Sequence, residues 1–481
     1  MKSNLHLGLF CRLSALAAVI LIGTNEVRAE FNVREYGAVG DGKTMETAAI
    51  AKAIDACAAA GGGTVYFPPG KYLTGAIVLS SNMTLEVDSG ATILGSENHD
   101  DYPLRDNPWI KGRKLVSSLI YAEDAENITI CGRGTIDGQG RVWWQTIFDA
   151  KSKAKSTGDA AKANTLTVGK GADEARGLPP VPSYFQDVAL RRPEIVRIVR
   201  CKNLTIQGLH FVNSPSWNLH PLLCERVRVE DVTIDAPVPS PNTDGINPDA
   251  CKNVQISNCR IDVGDDCITL KSGTNELGRQ MGKPDEDITI TNCVMYRGHG
   301  GVTIGSEMSG GVRNVTVSNC VFHGTDIGIR VKSQRGRGGV VEGLTVSNIV
   351  MQDVPKPFVI TTFYMGGDKP DDVVPVGEGT PRYRDFLFSN ITARGAKAEA
   401  GSITGLREMP IENIVFSNVR IQAAKGFTCT NAKGVVFDDV VIDTDAGPAV
   451  IQKNSTEIDT SRLRTNRPHE GTPLAESDAG K

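Results

Sequence analysis

The chain has 481 residues and a formal charge of −4, from 52 Lys and Arg against 56 Asp and Glu. A mildly acidic chain has no overall attraction for nucleic acid, so any anionic ligand must be held by a local basic cluster. The 40% hydrophobic content excludes disorder throughout. The length suggests about three domains, but only if no internal repeat runs through the chain.

The N-terminus has the pattern of an export signal. Lys2 and Arg12 supply positive charge, and Leu13–Gly23 is an apolar run too short to cross a bilayer. Val27-Arg28-Ala29 offers a small-x-small cleavage site, so residues 1–29 are expected to leave and Glu30 to begin the mature chain. Phe10 before Cys11 argues against a lipid anchor. Removing three basic residues and one acidic one leaves 49 against 55, or −6. Ten cysteines remain, none with paired CxxC spacing; core thiols with at most a few bridges are expected.

Thr44–Ala60 is rich in helix formers, with Ile50, Ala53, Ile54 and Cys57 on one face. A helix there is suited to cover an open sheet edge. GGGTVYFPPGKY (Gly61–Tyr72) then turns into strands. Residues of about 146–190 are expected to be an insertion, and 454–481 a polar tail.

Between these segments one pattern recurs: a polar residue, alternating apolar residues, then a polar bend. It appears as NLTIQGLHF (Asn203), NVQISNCRI (Asn253), DITITNCVM (Asp287), NVTVSNCVF (Asn314) and NIVFSNVRI (Asn413). Starting positions from Asn203 through Arg226, Asn253, Asp287, Asn314 and Gly343 are separated by 23, 27, 34, 27 and 29 residues. A drifting period built of short strands predicts an all-β solenoid, a right-handed parallel β-helix over residues 30–453 with an N-terminal capping helix. Asn258, Asn292, Asn319, Asn348, Asn390 and Asn418 share one repeat position and predict an asparagine ladder at a bend.

Counting from each repeat start puts Asp265 and His299 at +12, and Asp266 at +13. Anchoring Ile246 at +15 puts Asp244 at +13, so Asp244 and Asp266 are expected on adjacent coils roughly 5 Å apart. Arg330 falls at +16, and Lys271 and Lys332 at +18, all outward of the alternating Ile and Val residues. A carboxylate cluster beside a basic cluster on one solvent-facing surface follows. Two such carboxylates can deprotonate a water, and a third, crowded by like charge, can keep its proton and act as an acid. That is what hydrolysis of a glycosidic bond with inversion requires, and the cations suit an anionic sugar.

Four motifs, Asn242-Thr243-Asp244-Gly245, Gly264-Asp265-Asp266, Gly298-His299-Gly300 and Arg330-Val331-Lys332, together resemble the polygalacturonase family of glycoside hydrolases (family 28). The likeness extends from about Phe31 to Asp443. It implies Asp265 as general acid, Asp244 and Asp266 as the pair activating water, and His299 as support for the acid. It also implies Arg330 and Lys332 as binders of the uronate, inversion, no cofactor and no metal. The family usually has Ile where this chain has Val331, a core-facing change. Lys271 and the segment Gly273–Pro284 look like bacterial exo-acting members, so polygalacturonate or oligogalacturonides cut from chain ends is the expected substrate. Endo cleavage, rhamnogalacturonan hydrolysis, a calcium-dependent lyase and a non-catalytic polysaccharide binder remain the alternatives.

Taken alone, each feature has a blander reading. Asp-Gly pairs favour bends, and stacked Cys259, Cys293 and Cys320 read as core. His220 reads as structural or as lying near the cleft, Arg335 and Arg337 as a solvated turn or as holders of substrate carboxylates, and Trp143 and Trp144 as a packed lid or a sugar platform.

Overall fold

The computed structural model describes residues 29–109, 114–156, 192–364, 369–465 and 474–476. The residues before 29 expected to be an export signal, most of the expected insertion and the end of the expected tail lie outside these residues.

The described chain winds into a right-handed parallel β-helix. Its repeats stack in the register read from the sequence. Leu204 pairs with Val227, Val227 with Val254, Val254 with Ile288, Ile288 with Val315 and Val315 with Leu344. A 23-stranded parallel sheet bends round two walls of the coil. The third wall is made of a four-stranded and an eight-stranded sheet. The gap between them is spanned by isolated parallel bridges, Leu219 to Ile246 and Ile246 to Ile268, and Leu222 to Asp249 and Asp249 to Lys271. Asn242-Thr243-Asp244-Gly245 lies at this interruption.

Alternation explains the winding. Ile246, Ile268, Val302 and Ile329 form one inward column, each at most 2% exposed; burying such a side chain contributes about 1.5–3 kcal/mol. Further along, Phe416 stacks between Phe388 and Phe437 at 4.9 and 5.3 Å. The bends are held by asparagine. Asn418 donates to Asn390 (2.8 Å), Asn390 to Asn348 (3.2 Å) and Asn348 to Asn319 (3.1 Å), each residue in the left-handed region that asparagine tolerates. A second ladder joins Asn203 to Asn127 and Asn127 to Asn82. These ladders link side chain to side chain, rather than side chain to backbone.

Helix α1 (Thr47–Ala59) buries Ile50, Ala53, Ile54 and Cys57 against the first coil. Glu46 ahead of it accepts from the Val39 and Gly40 amides, at 2.9 Å each. Helix α2 (Arg141–Ser156) runs into the segment expected to be an insertion. Trp143 and Trp144 on it are buried, and Trp144 donates to the Ser214 carbonyl at 3.0 Å, so they pack rather than present a sugar platform. Past residue 453, Thr456–Asp459 and Leu463–Arg464 still pair with the coil before them. Among the described residues no disulfide joins the ten cysteines, nine of which are buried. No helix among the described residues is long and apolar enough to cross a membrane.

Candidate active site

The break in the third wall brings the sequence-predicted acids together. The Gly245 amide donates to the Asp266 carbonyl (3.0 Å) and the His299 amide to the Asp265 carbonyl (3.0 Å), so the three coils are locked side by side. Asp244, Asp265 and Asp266 each place a carboxylate oxygen within 4.8 Å of the others. Gly300 is dictated by space. A Cβ there would collide with the Thr303 hydroxyl and come within 2.9 Å of Asp266 Oδ1.

The cations arrive from the same wall. Lys332 Nζ is 2.7 Å from Asp266 Oδ2, and Arg330 Nη1 is 3.4 Å from Oδ1. Lys271 Nζ is 3.9 Å from Asp244 Oδ2. His299 Nδ1 is 3.1 Å from Asp265 Oδ1, which also accepts from the Asp266 amide at 3.0 Å. All seven residues predicted for the site are thus gathered in one place.

The expected solvent-facing surface is corrected. Asp244 and Asp266 are 4% and 1% exposed, and Lys271 and Lys332 are 4% and 5% exposed. They form a buried floor, with Asp265 part-exposed and His299 exposed beside it. Charge pairing makes such depth tolerable, because a buried carboxylate without a partner is costly.

The electrostatics separate the acids. Burial alone would raise Asp266, but Lys332 and Arg330 outweigh it and hold that carboxyl at about 2. Burial, reinforced by the Asp265 charge, pushes Asp244 well above the usual carboxylate range, with Lys271 only partly opposing it. The sequence reading puts the retained proton on Asp265. In the structure burial and the Asp265 charge also favour a proton on Asp244, whose one close cation is 3.9 Å away. The hydrogen bond to Asp265, against desolvation, lifts His299 to about 9, so it is an imidazolium at neutral pH.

Three converging carboxylates are also a donor set that a divalent cation takes. Here Lys332, Arg330 and Lys271 already supply the compensating charge.

Residues not read from the sequence complete the cleft. Half-buried Trp217 lies beneath Lys271, with Nζ 4.5 Å from the ring centroid, and Tyr364 lies 4.9 Å from Lys332 Nζ. Glu307 pairs with Lys271 at 3.2 Å. Arg335 and Arg337 are not solvated: Arg335 pairs with Glu408 at 2.7 Å, and buried Arg337 reaches Glu307 at 3.7 Å. His220 is buried with Nδ1 2.9 Å from Glu194 and its ring edge-on to Trp217. An aromatic next to a turn carries no periodic signal, so these contacts could be found only once the loops were placed.

A parallel β-helix whose cleft sets three carboxylates against cations defines a class, that of enzymes cutting acidic polysaccharides. The family of glycosyl hydrolases 28 matches residues 186–461, and a family described as rhamnogalacturonase A/epimerase, pectate lyase-like, matches residues 30–166. A probable polygalacturonase of Vitis vinifera is 33% identical over 422 residues, covering 83% of this chain and 77% of that one. An exo-poly-alpha-D-galacturonosidase of Dickeya chrysanthemi is 30% identical over 441 residues, covering 87% and 71%. The crystal structure of a hyperthermoactive exopolygalacturonase from Thermotoga maritima superposes with a TM-score of 0.70 at 30% identity, covering 87% of this chain and 92% of that one. The chain belongs to family 28 of the glycosyl hydrolases and is a glycoside hydrolase.

Proposed function

We propose that the enzyme hydrolyses α-1,4-linked polygalacturonate, releasing single galacturonates from chain ends with inversion. The observation that carries this reading is the convergence of Asp244, Asp265 and Asp266 within 4.8 Å, beside Arg330, Lys332 and Lys271. Asp265, the most exposed of the three, delivers the proton of the Asp244–Asp265 pair to the glycosidic oxygen. Asp244 and Asp266 are then both anionic and take a proton from the attacking water. That proton resets the pair on Asp244. Arg330 and Lys332 hold the uronate carboxylate, and the His299 imidazolium orients Asp265.

Carboxyl separations of about 5–5.5 Å usually go with retention and about 6.5–9.5 Å with inversion. The close trio is nevertheless a poor source of a carboxylate nucleophile. Asp266 is clamped by two cations, and Asp244, 4% exposed, is engaged as the base toward water. Water is the better nucleophile, and direct displacement by water inverts.

Exo action is supported by the packing over the coils that precede the trio. Outward-facing Arg197 and His220 on the preceding coils are only 4% and 5% exposed, and Arg197 donates to the Val116 carbonyl at 3.0 Å. The hairpin Leu104–Asp106 with Lys114–Val116 covers that stretch, and Trp109 packs near Tyr121 and Leu222. Product profiling on oligogalacturonides of defined length tests the reading. Monomer from the first time point is expected; a spread of sizes means endo cleavage, and an unsaturated product means a lyase.

The leader-like residues 1–29 support export, which suits a polymeric substrate outside the cell membrane. N-terminal sequencing of the mature protein should begin at Glu30; an intact Met1 would reject export by cleavage.

A further inference from the structure

Lys271 is shared between two carboxylates, and it lies nearer the one outside the trio. Its ammonium is 3.2 Å from Glu307 Oε2 and 3.9 Å from Asp244 Oδ2. Glu307 is fixed where it stands. The Ser272 amide donates to its carbonyl at 2.8 Å, and its Oε1 is 3.4 Å from Ser306 Oγ and 3.7 Å from Arg337 Nη2. Glu307 does not reach the reacting atoms' carboxylates itself, yet it competes with Asp244 for their common cation.

We propose that Glu307 is a positioning residue: it draws the Lys271 ammonium away from Asp244 and so leaves a proton in the Asp244–Asp265 pair for the leaving group. The proposal rests on the reading of the trio as the catalytic carboxylates. The groups facing Asp244 are Asp265, Asp266, Lys271 and Lys332. Those facing Lys271 are Glu307, Asp244 and Asp266, and those facing Glu307 are Lys271, Arg337 and Lys332. Only Lys271 joins the two systems at short range.

The charge logic has a definite sign. Burial and the Asp265 charge hold Asp244 high, and Lys271 works against both. Without Glu307, Lys271 has Asp244 as its one remaining close carboxylate, and the pair's doubly ionised form is favoured. The proton needed by the leaving group is then lost at lower pH.

The test is the pH profile of kcat/KM for Glu307→Gln, Lys271→Met and the double variant, with Glu307→Asp as the conservative control. The alkaline limb is expected to fall by about half a unit or more in Glu307→Gln, to rise in Lys271→Met, and to return toward the parent in Glu307→Asp. The double variant should match Lys271→Met. An alkaline limb that stays put or rises in Glu307→Gln overturns the proposal. So does an equal shift with and without Lys271. Titration of 13C-labelled aspartate carboxyls in the free enzyme reads Asp244 directly, even where turnover is too slow to profile. A downward shift there in Glu307→Gln supports the proposal, and an unchanged titration rejects it. Turnover retained in Asp265→Asn would instead reject the catalytic reading of the trio, leaving the Asp244 titration to report on its own.

Discussion

Lys332 and Asp266 lie 2.7 Å apart on the cleft floor, both nearly inaccessible to solvent, from coils separated by 66 positions in sequence. The pair serves stability and function together. Replacing Lys332 by Met leaves Asp266 with Arg330 alone at 3.4 Å. Breaking a buried pair costs about 3–5 kcal/mol; with Arg330 still present, a loss near ~3 kcal/mol is expected in denaturant unfolding. Turnover should fall at least ~10²-fold, because the uronate loses a binding cation and Asp266 its fixed charge.

The same pair sets the acid limit of the fold. Asp266 is held at about 2, below the ~3.9 of an unfolded aspartate. Its contribution is therefore complete above about pH 4 and lost as pH falls toward 2. Melting midpoints between pH 6 and pH 2 should drop through that window. The drop should be shallower in Lys332→Met, and equal drops in both proteins would contradict the assignment.

Asp244 has the opposite sign. Its carboxyl is raised by burial and by Asp265, so at neutral pH ionising it costs the folded state free energy. Asp244→Asn should raise the melting midpoint at pH 7 while lowering kcat by at least ~10². This is the trade between stability and activity expected where function requires crowded like charges. A variant that is both inactive and less stable at pH 7 would speak against the proton placement.

Gly300 gives a steric test. Gly300→Ala should displace Asp266 through the Thr303 hydroxyl, lowering kcat ~10²-fold or more with the β-helix intact by circular dichroism. Adding Thr303→Ala removes the first obstacle and should restore part of the activity. No recovery would mean that the remaining approach to Asp266 is decisive.

Much of this was legible in the sequence for a physical reason: a solenoid turns distance along the chain into a period. The alternation at Asn203, Asn253 and Asn314 gives inward and outward faces, and Ile246 anchors Asp244 across an insertion because its column is apolar throughout. Asp265 and His299 fall together by the same counting. Depth was not legible. The loops that bury Asp266 and Lys332 have no period, and outward alternation says nothing about what lies over it. Arg335 and Arg337, in a glycine-rich stretch with the look of a solvated turn, find Glu408 and Glu307 only through tertiary folding.

The most direct measurement is reducing-sugar release from polygalacturonate by Asp265→Asn, with its melting curve recorded in parallel. Loss of at least ~10²-fold in turnover with the cooperative melt preserved is predicted, since an amide cannot deliver the proton. Parental turnover by a folded Asp265→Asn protein would contradict the assignment of the trio as the catalytic centre.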